Sequence, residues 1–98
     1  MIKPDIIADL YFYSTEEKGR AMPTPPNRFS CIFTINGCNY DIRLLLNEIG
    51  SIFPGQNIKN VPIKFLCPEL IVSKLNVGDK FFLREIKIIA EGTIIEKL

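Results

Sequence analysis

An Asn-Gly pair between two alternating apolar runs is the feature that most constrains the fold of this chain. Both central residues of a type I′ turn need positive φ, and Asn36-Gly37 adopts it readily. The flanking runs, residues 28–35 and 38–46, alternate with the period of a half-buried strand. The pair therefore predicts a β-hairpin, which favours a strand over a short helix in the run RLLLNEIG. The side chains expected to face inward are Phe29, Cys31, Phe33, Ile35, Tyr40, Ile42, Leu44 and Leu46.

Similar alternation along the rest of the chain predicts an all-β fold. Further strands are expected at residues 5–13, 57–67, 71–72, 80–86 and 88–97. In the first of these, the inward side chains would be Ile6, Ala8, Leu10 and Phe12. Six or seven short strands separated by turn signals indicate an antiparallel barrel or a sandwich. At 98 residues, the chain is expected to form one domain, residues 1–98.

Glycine, proline and asparagine mark the places where the strands turn or shift. Phe53-Pro54-Gly55-Gln56 has the proline and glycine of a type II turn. The apolar phase slips between Ile58 and Val61, so a bulge is expected near Asn60, and Pro62 indicates that bulge or a sheet edge. Gly19 is expected to supply a positive-φ turn residue. At Gly92, a bulky ring is expected to approach closely.

The composition argues against several classes of function. The net charge is +1, which gives no electrostatic signal for non-specific binding to nucleic acid, DNA or RNA, or to an anionic membrane surface. The chain has no histidine, no phosphate-binding loop motif and no CxxC spacing among its three cysteines. We therefore expect no catalytic residue, no cofactor and no metal. Cys31 and Cys67 are expected to be buried and reduced, and the cytoplasm is the expected compartment.

A few aromatic and charged residues are candidates for a binding surface. An RNA-binding surface could include Tyr11, Tyr13, Lys18, Arg20 and Arg28, but outward tyrosines on a barrel strand are more often simply half-buried. Arg20 would form a structural ion pair if buried beside acids, or grip a phosphate or a partner carboxylate if exposed. Of these two roles, the structural one is favoured.

Three sequence blocks resemble the C-terminal (third) β-barrel domain of elongation factor Tu. The first is DLYFYSTEEKGR at residues 9–20, with Pro23 shortly after it. The second is FPGQNIK at residues 53–59, followed by Cys67-Pro68. The third is FFLRE at residues 81–85, followed by Ala90-Glu91-Gly92. The blocks follow the family's order and cover nearly the whole chain.

The resemblance implies a six-stranded antiparallel barrel without catalytic activity. In the family, this domain packs on a GTPase domain, touches the T stem of aminoacyl-tRNA and contacts the nucleotide exchange factor. The GTPase domain is absent here, and Ile86-Lys87 replaces the family's glycine pair after Arg84-Glu85. The resemblance therefore implies a stand-alone protein-binding barrel, either a translation-factor mimic or an immunity or antitoxin-like protein.

The alternative is a barrel that binds the tRNA T stem through Arg20, Arg28, Arg84 and Lys87. A protein partner is the leading expectation, tRNA binding would be weak, and neither DNA nor a membrane is expected. From the matched motifs, the interaction surface is expected to include Tyr11, Tyr13, Glu17, Arg20 and Arg84.

Overall fold

The computed structural model describes residues 2–98 and shows a closed six-stranded barrel. Its strands are β1 (Ile6–Phe12), β2 (Arg28–Ile35), β3 (Cys38–Leu45), β4 (Asn57–Phe65), β5 (Lys80–Arg84) and β6 (Ile88–Lys97). They follow one another around the barrel in the order β1-β4-β3-β2-β5-β6, and every neighbouring pair is antiparallel. The all-β, six-stranded antiparallel barrel expected from the sequence is thus confirmed.

The barrel interior is filled by the side chains that alternation assigns to the inward face. Phe33 lies at the centre, stacked on Phe81 with ring centroids 4.3 Å apart and edge-on to Phe65 at 4.9 Å. The inward positions predicted for residues 5–13 and 28–35 are all buried. On β3 the prediction holds for the aliphatic residues, whereas Tyr40 is only partly buried and packs against the core.

The predicted turns and the predicted bulge are confirmed. Asn36 and Gly37 have φ values of 50° and 77°, as a type I′ turn requires. Gly55 has a φ of 83°, and the Gln56 N–H donates to the Phe53 carbonyl at 3.1 Å, which closes the second turn. The β1–β4 register shifts at the bulge, where Asn60 has a φ of 60° and its N–H donates to Asp9 Oδ1 at 3.1 Å.

Three local expectations are wrong. Residues 71–72 form no strand, because the six strands already close the barrel. The chain there forms two single-turn 3₁₀-helices, Pro68–Leu70 and Val72–Lys74, whose neighbours Ile71 and Leu75 are buried in the core. Cys67 is exposed rather than buried, since it lies just beyond the end of β4.

The third correction concerns the turn that follows β1. The residue with positive φ is Lys18, at 67°, and not Gly19. Glycine is needed at position 19 for a different reason: a Cβ there would lie 2.1 Å from the Tyr13 carbonyl oxygen. The Gly19 N–H donates to the Ser14 carbonyl at 2.8 Å, so this turn folds back tightly onto the end of β1.

Throughout residues 2–98, no helix is long and apolar enough to cross a membrane.

Candidate functional site

The strand register brings outward side chains of β1, β6 and β5 into one row. Tyr11 on β1 lies opposite Glu91 on β6, and Glu91 lies opposite Phe82 on β5. Two residues along, Asp9, Thr93 and Lys80 are aligned in the same way. The two rows line a shallow depression of about 280 Å³ on the outside of the barrel. We call Tyr11, Tyr13, Glu17, Phe82 and Glu91 the tyrosine face.

Hydrogen bonds fix both tyrosines of this face to carboxylates. The Tyr13 hydroxyl donates to Glu91 Oε1 at 3.0 Å, and the Tyr11 hydroxyl donates to Glu17 Oε1. The two rings meet edge to face, with centroids 5.8 Å apart and planes inclined at 62°. Glu17 is also held by the turn, since the Ser14 N–H donates to the same Oε1 at 2.9 Å. The face is therefore a fixed arrangement of rings and carboxylates.

The pKa values of Tyr11, Tyr13 and Glu17 are shifted in this arrangement. Burial, followed by the bond to Glu91, raises the pKa of Tyr13 to about 12. The bond to Glu17 raises the pKa of Tyr11, and the same bond lowers the pKa of Glu17. At neutral pH both tyrosine hydroxyls are therefore neutral, and the Tyr11 hydroxyl donates to an ionised Glu17 carboxylate.

The tyrosine face also carries carboxylates that form no ion pair with a basic side chain. Across residues 2–98, the ion pairs are Arg20–Glu85 and Lys64–Asp5. The carboxylates of Asp9, Glu17 and Glu91 take part in neither. Lys80 is the one basic side chain among the residues that line the depression. The outside of β1, β6 and β5 is therefore acidic as well as aromatic.

Arg20 forms an ion pair within the protein. Its Nη1 is 2.7 Å from Glu85 Oε2, and the two side chains are 19% and 38% exposed. The guanidinium also donates to the carbonyls of Met22 and Pro23 at 3.2 and 3.3 Å, and it lies 4.7 Å from the centroid of the Phe29 ring. The geometry matches the structural role that the sequence favoured for Arg20.

Arg84 is the last residue of β5 and belongs to the β5–β6 hairpin. Its Nη2 donates to the Ile86 carbonyl at 3.3 Å, across a turn that is closed by the Glu85 N–H donating to the Lys87 carbonyl at 3.0 Å. The five residues expected at the interaction surface thus fall into two groups. Tyr11, Tyr13 and Glu17 lie together, whereas Arg20 and Arg84 lie at the hairpin.

Sequence reasoning missed two members of the tyrosine face. Glu91 and Phe82 were recognised only as parts of motif blocks. Their outward positions follow from the alternation of β5 and β6, but their position beside Tyr11 follows from the register between strands, which no local pattern contains. Burial raises the pKa of the Cys31 thiol to about 12, which disfavours the nucleophilic thiolate.

No protein-family model matches the chain, and no curated protein is significantly similar to it. In the part of the chain that the structure describes, no three histidine, cysteine, aspartate or glutamate side chains cluster as metal ligands. The tyrosine face brings together three of the five residues expected at the interaction surface, Tyr11, Tyr13 and Glu17.

Proposed function

We propose that this chain is a non-enzymatic protein-binding barrel whose binding surface is the tyrosine face. The observation that carries the proposal is the pair of tyrosines held against two carboxylates that have no basic partner. Tyrosine offers a large apolar ring with a polar tip, and aromatic residues are enriched at protein interfaces. Because the hydroxyls are already fixed by Glu17 and Glu91, little side-chain entropy would be lost on binding.

The charge of the face indicates which kind of partner surface it fits. Asp9 and Glu91 line the depression together with one lysine, Lys80, and Glu17 adds a carboxylate beside Tyr11. A basic surface would therefore be attracted and an acidic one repelled. Phe82, which is 43% exposed, adds apolar area next to Glu91. A protein segment with a basic and an apolar side chain side by side would match both properties.

The motif resemblance supports a more specific version of this proposal. The blocks lie in β1 and its turn, in the turn before β4, and in the β5–β6 hairpin. In this version the chain is a diverged relative of the third domain of elongation factor Tu. It would engage a protein partner of that factor as a mimic, or cover a toxin as an immunity protein does.

The geometry favours a protein partner over tRNA. Arg20 would be the first candidate for a phosphate contact, but its guanidinium is engaged by Glu85 and by two backbone carbonyls. Glu17 and Glu91 would repel a phosphate backbone at the tyrosine face. Phosphate-driven binding also weakens steeply with salt, which gives a simple way to recognise it.

Affinity capture with matched charge reversals tests the proposal. The full chain, Glu91→Lys and Asp41→Lys would each be immobilised and exposed to an extract of the source cells. Asp41 is the control, because it is equally an exposed acid on a strand but lies on β3, outside the face. We expect one or more proteins to be retained by the wild-type chain and Asp41→Lys and lost with Glu91→Lys.

Binding of the purified captured protein to the same three chains would then be measured by calorimetry, and filter binding with tRNA at low salt would run in parallel. Identical capture by all three chains, or no specific capture, would refute the proposed surface. Salt-sensitive tRNA binding that Glu91→Lys strengthens would favour the RNA-binding alternative instead.

A further inference from the structure

The apex of the β5–β6 hairpin presents an isoleucine to solvent. Ile86, in the turn between Glu85 and Lys87, is 96% exposed. Turns favour glycine, asparagine, aspartate and proline, whose side chains suit turn backbone or bond to it, and a β-branched apolar residue offers none of these advantages. Ile88 follows on β6 and is 43% exposed. The turn therefore carries apolar surface that the folded chain does not use.

The hairpin tip, which we define as Arg84, Glu85, Ile86 and Lys87, is fixed by polar contacts. Two bonds cross the turn itself, from the Glu85 N–H to the Lys87 carbonyl at 3.0 Å and from Arg84 Nη2 to the Ile86 carbonyl at 3.3 Å. The ion pair between Glu85 and Arg20 ties the tip to the loop before β2. A pre-organised apolar side chain loses little entropy when it is buried in a complex.

The tip and the tyrosine face have opposite charges and share strands β5 and β6. Arg20 and Glu85 neutralise each other, which leaves Arg84 and Lys87 as a local charge of two positive units. Neither is among the ion pairs of residues 2–98. At the tyrosine face, Glu17 and Glu91 are outside the ion pairs of residues 2–98, and so is Asp9, which lines the depression together with Lys80. The tip joins β5 to β6, and the tyrosine face lies on these two strands, on the adjacent β1 and on the turn that follows β1.

We propose that the tyrosine face is covered by a second copy of this chain. Ile86 of each copy enters the depression of the other, and Lys87 and Arg84 meet Glu91 and Glu17 across the contact. Because each copy carries both halves, two equal contacts close a two-fold dimer of the isologous type. The inference rests on the proposed function, because the same face is the binding surface in both. A second copy of the chain would therefore compete with any other partner for the tyrosine face.

Charge swapping tests this pairing directly. Sedimentation velocity over a concentration series should show a monomer–dimer equilibrium for the wild-type chain that weakens with added salt. Lys87→Glu and Glu91→Lys should each weaken the dimer at least tenfold. Mixing these two variants should restore a dimer, since the acidic tip of one then meets the basic face of the other. The double variant Lys87→Glu/Glu91→Lys should likewise pair with itself.

The apolar contribution is tested by Ile86→Ser, with Val77→Ser as the matched control. Both residues are exposed, at 96% and 63%, so neither change removes core packing. Ile86→Ser should weaken the dimer at least tenfold, and Val77→Ser and Asp41→Lys should leave it unchanged. Circular dichroism would confirm that every variant is folded.

A wild-type chain that stays monomeric at every concentration would overturn the inference, as would single charge variants that dimerise normally or a mixture that fails to restore the dimer. These outcomes are separable from the proposed function. A monomeric chain that still captures a protein through Glu91 retains the proposed function and refutes the self-pairing.

Discussion

Replacing Gly92 with alanine tests the packing beneath the tyrosine face. Gly92 on β6 lies between Leu10 of β1 and Phe81 of β5. A Cβ at this position would lie 2.4 Å from Phe81 Cζ and 2.6 Å from Leu10 Cδ2, far inside van der Waals contact. Phe81 has no free space to move into, because it is 1% exposed and its ring stacks on Phe33. The new methyl group must therefore displace the aromatic core.

Two opposing effects set the size of the loss. Overpacking a filled core costs about 1–3 kcal/mol, whereas replacing glycine by alanine in a compatible backbone gains about 0.4–1 kcal/mol through the unfolded state. Because both neighbours of Gly92 are blocked, we expect the cost to lie near its upper limit. Gly92→Ala should then lower the free energy of unfolding by about 2 kcal/mol, measured by urea denaturation followed by circular dichroism.

A smaller side chain at position 81 should relieve the clash. In the double variant Gly92→Ala/Phe81→Leu, the loss should be smaller than the sum of the single losses by at least about 0.5 kcal/mol, as for residues in direct contact. Ser30→Ala on the outer face of β2 is the control and should change stability by no more than about 0.5 kcal/mol. Additive losses would contradict the proposed clash between Phe81 and a side chain at position 92. A Gly92→Ala variant as stable as the wild type would contradict it as well.

Two further predictions concern the polar contacts. In a double-mutant cycle of Arg20→Ala and Glu85→Ala, the coupling free energy from urea denaturation should be about 0.5–1 kcal/mol, as for a partly exposed ion pair. A coupling of zero would show that the ion pair does not stabilise the fold. Folding raises the pKa of Tyr13 from 10.0 to about 12, so the neutral Tyr13 hydroxyl stabilises the fold fully below pH 10. This stabilisation is lost as the pH rises from 10 to about 12. Tyr13→Phe should make the urea midpoint fall less steeply over this pH range. The variant should also lack the tyrosinate step at the highest pH in an ultraviolet titration, and an unchanged titration would contradict the assignment of that step to Tyr13.

Where a structural element is determined by a few adjacent residues, the sequence predicted it correctly. The type I′ turn depends only on Asn36-Gly37, and the inward positions of β2 depend only on alternation along one strand. The bulge near Asn60 is similar, since the phase slip between Ile58 and Val61 records it within a single strand. Each of these features has its physical cause within a few residues of the chain.

The expectations that failed depend on contacts that alternation and turn composition do not contain. Residues 71–72 have apolar side chains suited to a strand, but the closed ring of six strands offers no edge to pair with. Gly19 was expected to relieve strain in its own φ, whereas it makes room for the Tyr13 carbonyl. The pairing of Tyr13 with Glu91 joins residues 78 positions apart, and it exists only because β6 lies beside β1.

The position of Arg20 connects the structural and the functional parts of the molecule. Its motif suggested a direct contact with a partner, but the ion pair turns its guanidinium towards Glu85 in the hairpin tip. Arg20 can therefore influence binding without touching a partner, because it fixes the turn that presents Ile86. Loss of Arg20 would leave the charge of the tyrosine face intact and free the tip to move. The Glu85 carboxylate would also lose its partner, so binding would weaken both through the entropy cost of ordering the tip and through the lower positive charge of the tip, although Arg20 itself contacts no partner.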